Sequence, residues 1–91
     1  MYLSAFFTKY GTPTTGLTPQ VTVYDLADNS TPLANQALTE VGGGWYTYNW
    51  TAYDSTKNYV IKFDSMDTTM VDSDRYKYAG DDLTVTVNVG A

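Results

Sequence analysis

The stretch ALTEVGGGWYTYNWTAYDSTKNYVIKFD, Ala37 to Asp64, decides how this chain folds. Its three consecutive glycines, Gly42 to Gly44, tolerate positive φ and read as a hairpin turn. A short strand around Ala37 to Val41 is expected before that turn, and a longer one over Trp45 to Thr51 after it. Successive side chains of a strand point to opposite sides. The longer strand is therefore aromatic on both faces, with Tyr46, Tyr48 and Trp50 on one and Trp45, Thr47 and Asn49 on the other. Such a strand is either covered twice or contacts a partner. The polar run Ala52 to Asn58 makes a corner. Beyond it, Tyr59, Ile61 and Phe63 alternate with Val60, Lys62 and Asp64, the pattern of a half-buried strand.

The same two-residue period continues in both directions. Upstream, Tyr2 to Lys9 places Leu3, Ala5 and Phe7 on one face, and Val21 to Asp25 does the same with Val21 and Val23. Between them Gly11 to Pro19 reads as loop from its Pro and Gly content, and Ala27 to Pro32 as a turn. Downstream, the polar stretch Ser65 to Asp74 leads to a short strand over Arg75 to Tyr78. The final alternation, Leu83 to Val89, sets Val85, Val87 and Val89 against Thr84, Thr86 and Asn88. Nine tyrosines and fifteen threonines suit a pleated surface, and no helical spacing of apolar residues is present. The expectation is an all-β fold, a single antiparallel sandwich of about seven strands spanning residues 1–91, without a helix.

A sandwich of 91 residues buries only roughly 60–65% of its unfolded surface, so its stability margin is thin. Small domains add a disulfide, a metal or a partner. Without cysteine or histidine, a disulfide and the thiolate or imidazole metal sites are excluded. Oxygen-ligated cations and neighbouring subunits remain. Asp64, Asp67, Asp72 and Asp74 form an acidic stretch that could serve calcium, set against the plainer reading of a solvated loop. The formal charge of −5 and the isolation of the Arg75/Lys77 pair among acidic residues argue against nucleic acid. No apolar run approaches the length of a membrane helix or reads as a signal peptide, so a soluble chain is expected.

Catalysis is not expected. A nucleophile needs an activating base. With histidine and cysteine absent, only Ser–Lys or Thr arrangements remain, and nothing singles out one of the four lysines. Asp72/Asp74 and Asp81/Asp82 could pair for glycoside hydrolysis, but acid chemistry requires a desolvated carboxyl and these lie in polar loops. Asn29 and Asn49 head glycosylation triplets, each a weak signal in so Ser/Thr-rich a chain.

The segments FFTKYGTPTTGLTPQVTVYDL and TEVGGGWYTYNW, with the Gly turn, aromatic strand, polar corner and Y-x-I-x-F that follow, resemble the compact Ig-like domains of tailed-phage virion proteins and of extracellular filament, pilus-like subunits. The resemblance spans about residues 5 to 80. It implies an Ig-like sandwich with structural or adhesive work in an extracellular filament or virion. It also implies that the Tyr59 hydroxyl bonds back to the corner Asp54 to Lys57. The last strand, Leu83 to Val89, departs from the family picture as an addition.

So many tyrosines exceed what a small core can hold. Tyr is common in contact surfaces because it offers area with few torsions to freeze. Tyr2, Tyr24, Tyr76 and Tyr78, with Leu83, Val85, Val87 and Val89, are therefore candidate subunit-contact residues. The last strand either pairs within its own domain or completes the open sheet of a neighbour, which would propagate as a filament. The first reading is a self-associating filament subunit. A phage head-decoration or tail-associated domain, and a carbohydrate-binding or adhesion module, are the alternatives.

Overall fold

The computed structural model describes residues 1–80. Nine strands and a single helical turn occur in it: β1 (Tyr2–Phe6), β2 (Thr8–Lys9), β3 (Thr12–Pro13), β4 (Gln20–Asp25), β5 (Leu33–Ala37), β6 (Thr39–Gly42), β7 (Trp45–Asn49), β8 (Tyr59–Asp64), α1 (Asp72–Arg75) and β9 (Tyr76–Gly80). The chain is all-β, as its alternation predicts, but the strand number exceeds seven. The predicted first strand breaks at Phe7 into β1 and β2, and β2 pairs with β3 inside the segment read as loop. Strand β5 lies between the predicted turn, Ala27 to Pro32, and the strand expected around Ala37 to Val41, and overlaps the latter only at Ala37. The turn α1 corrects the expectation of no helix. Asp81, Asp82, Leu83, Val85, Val87 and Val89 lie outside the described residues.

The strands form two main antiparallel sheets, one ordered β1-β7-β6 and the other β5-β4-β8-β9. Between them Leu3, Ala5, Phe7, Val21, Val23, Tyr46, Trp50, Tyr59, Ile61 and Phe63 make one core. Full burial of each large side chain is worth about 1.5–3 kcal/mol, which sets the register, since a one-residue slip would turn the set outward. Tyr46 is wholly buried. Its hydroxyl donates to the Thr14 carbonyl (3.0 Å) and accepts the Leu17 N–H (3.1 Å), tying down the long loop before β4. The resemblance implied a hydroxyl-to-backbone bond at a different place, from Tyr59 to the corner Asp54 to Lys57. Among the described residues, Tyr59 instead packs its ring on Trp50 (4.8 Å between centroids) and Tyr53 (5.8 Å), with no hydroxyl bond to the corner.

The way the sheets join determines which edges are open. Strands β5 and β6 belong to different sheets yet are separated only by Leu38, which is buried, so they lie at one shared edge. Strands β1 and β9 therefore lie at the opposite edge. Contacts there agree: the Tyr10 N–H reaches the Asp74 carboxylate (3.2 Å), and Lys9 approaches Asp67 (3.6 Å). Among the described residues the sheet that ends in β1 has three strands and the sheet that ends in β9 has four. Ala79, beside buried Ile61 on the inward side of β9, is exposed.

Candidate interaction surface

The outward face of the four-stranded sheet is built by alternation. Because Val21, Val23, Ile61 and Phe63 point inward, Thr22, Tyr24, Val60, Lys62 and Asp64 point out. Register extends these rows onto β9: Asp64 stands beside Tyr76, and Lys62 beside Tyr78. The two tyrosine rings stack at 6.5 Å, and Tyr78 is 71% exposed. Lys62 Nζ lies 4.9 Å from the centre of the Tyr76 ring and Arg75 Cζ 5.0 Å from it, two cations against one electron-rich ring. Tyr24 (37% exposed) and Val60 (36%) adjoin across β4 and β8.

Arg75 is held in place by Asp64 through Nε to Oδ1 at 2.8 Å and a second contact of 3.2 Å. Burial alone would raise the Asp64 carboxyl. The hydrogen bonds from Arg75 and from the Met66 N–H, with the charges of Arg75 and Lys62, outweigh it and hold the group below the ordinary Asp value. Beside this pair an open concavity of about 500 Å³ is lined by Gln20, Thr22, Tyr24, Asn35, Lys62 and Met66, with Asp64 at its base row. The surface is thus an aromatic strip along β9 and a polar hollow over β4.

Three of the four described contact candidates, Tyr24, Tyr76 and Tyr78, come together on this face. Tyr2 (69% exposed) does not. It lies on the outer face of the other sheet, opposite Asn49. That second face carries a further aromatic pair, Phe6 and Trp45, with centroids 5.0 Å apart. Val60, Lys62, Phe6 and Trp45 were not among the sequence candidates. The signal was present, since each occupies the alternate position to a core residue.

The acidic stretch does not converge. Asp64 serves Arg75. Asp67 accepts from Thr69 N–H (2.9 Å) and its hydroxyl (2.6 Å), and Asp74 accepts from Tyr10, while Asp72 opens α1. Among the described residues no group of three or more acidic side chains is placed to hold a metal ion. The two glycosylation candidates are both exposed. Asn29 occupies a turn at φ 58°, and Asn49 ends β7 on the same outer face as Tyr2. No described helix is long and apolar enough to cross a membrane. Neither a family model nor a curated protein nor a solved structure matches the chain.

Proposed function

We propose that this chain is a non-catalytic structural subunit, an Ig-like sandwich that associates with copies of itself in an extracellular filament or a virion. One observation carries the reading: the aromatic strip of half-buried Tyr76 and exposed Tyr78, continued by Lys62, Val60 and Tyr24 on a single sheet face. Tyrosines and an apolar side chain that adjoin on one sheet face have the composition of a contact surface. Light scattering and negative-stain microscopy of the purified chain test it. Polymers or regular particles are expected, and Tyr78→Ser is expected to raise the protein concentration at which they form. A chain that stays monomeric at high concentration would rule the reading out.

The hollow beside the strip favours a second reading. Tyr24, Gln20, Asn35 and Lys62 combine a ring with amide and ammonium groups around an open concavity, the chemistry that holds a sugar. Retardation on polysaccharide gels, lost in Tyr24→Ala, would favour a carbohydrate-binding module.

A further inference from the structure

Among the described residues the two main sheets have four edge strands, and they are not alike. Strands β5 and β6 are blunted: β5 pairs with β4 through a register break near Asn35 (φ 50°), β6 with β7 through another before Gly42, and Leu38 closes the gap between them. Such irregularity discourages strand addition. Strand β1 is regular over its whole length, with five successive residues in register with β7 and, among the described residues, no strand paired on its other side. Strand β9 is equally regular. Only β1, however, has an uncovered surface facing the place where an added strand would lie: the inner side of β9, where Ala79 is exposed and Lys77 is drawn aside to the Ser73 carbonyl (3.3 Å). The three-stranded sheet is one strand short of its partner.

We propose that this slot, along β1 and beneath Ala79, receives Leu83 to Val89 from a second copy of the chain. The segment has the required pattern. Its valines, Val85, Val87 and Val89, form one apolar face for the layer between the sheets, and Thr84, Thr86 and Asn88 one polar face continuing the outward row of Tyr2 and Ser4. Its seven residues match the five of β1 with one to spare at each end.

Direction selects the second copy over the chain's own segment. The chain just beyond β2 meets α1, just before β9, through the Tyr10–Asp74 contact, so β9 starts at the end towards which β1 runs and itself runs back towards Met1. A segment turning directly from Gly80 into the slot would run parallel to β1. Every pairing among the described strands is antiparallel. A strand from another molecule is free to enter antiparallel, the slightly more stable arrangement. The contact joins two different surfaces, so it repeats from copy to copy without closing.

This inference rests on the self-association reading and supplies its linkage. The absence of cysteine allows a direct test with the full chain. Chains carrying Ser4→Cys are mixed with chains carrying Thr84→Cys, Thr86→Cys or Asn88→Cys and oxidised, so that only contact between copies can join them. A mixed cross-linked dimer is expected from at least one pairing. In the double variant of one chain, a ladder of cross-linked multimers is expected. Val87→Lys is expected to abolish the high-mass species while the circular-dichroism spectrum of the sandwich persists. A cross-link confined within single chains would overturn the proposal. So would polymers that form normally with Val87→Lys and give no cross-link, a result that leaves self-association standing through the tyrosine face. If the unmodified chain forms no assembly at all, the broader reading fails and the linkage with it.

Discussion

Tyr46 shows how much one hydroxyl can organise. Its ring lies in the core against Phe7, 5.8 Å between centroids, while its oxygen serves two backbone groups of the loop before β4. Tyr46→Phe keeps the ring and leaves an N–H and a carbonyl without their partner. A loss of about 1–3 kcal/mol is expected in urea unfolding, with the spectrum of the folded state unchanged. Asp64 gives a second residue-scale expectation. Its carboxyl is held below the ordinary value of about 3.9, so the folded state binds the proton less readily than the unfolded chain. The stability it supplies is complete above that ordinary value and is lost as the pH falls through the lower, folded one. Asp28, Asp54 and Asp67 are lowered in the same sense, chiefly by side-chain hydrogen bonds with Ser30, Thr56 and Thr69. Unfolding midpoints measured from neutral pH down to below 4 are expected to fall. Asp64→Asn should be less stable than the parent at neutral pH, and the difference should shrink in acid.

At the scale of the element, the β6–β7 hairpin depends on the last of its three glycines. Gly44 has φ +94°, and a Cβ there would lie 3.0 Å from both Phe6 Cε1 and the Phe7 carbonyl oxygen and 3.2 Å from Pro13 Cβ. Gly42 and Gly43 have positive φ too, but open space around them. Gly44→Ala is therefore expected to cost about 1–3 kcal/mol in denaturant unfolding, and Gly43→Ala clearly less. Legibility in the sequence divides along similar lines. Strands β4, β7 and β8 could be read directly because each alternates between a buried and an open face, while Tyr24, Tyr76 and Tyr78 stood out through the surplus of tyrosine over what a small core can hold. Strand β5 could not. Its burial pattern has only Leu33 inside, so Ala34 to Ala37 carry no periodic signal. The short β2–β3 pairing is likewise exposed or half-exposed throughout, and its Pro13 reads as a loop residue. The role of Tyr59 was misassigned because both it and Tyr46 are buried tyrosines on core faces. Which hydroxyl meets a loop depends on contacts across about 30 residues, such as the 32 separating Tyr46 from Thr14.

Across the whole molecule, the grouping of exposed aromatics by face is a property of sheet order, which no local pattern encodes. The tyrosines of the aromatic strip could be named from composition. That Tyr2 lies on the far side, and Lys62 between Thr22 and Tyr78, follows only from pairing partners distant in the chain. The same order makes the Leu38 crossing the spine of a two-leaved book, with β1 and β9 at its fore-edge. Leaves bound at one side part from the other. Among the described residues the fore-edge has clasps only at one corner, where Lys9 and Tyr10 grip Asp67 and Asp74. Thermal opening is thus expected to start at the unclasped corner and run towards the spine. Hydrogen exchange should then show the amides of β9 near Ala79 trading deuterium well before those of β4. A molecule that breathes in this way has a preferred side from which its interior can be entered, and every fluctuation offers that side first.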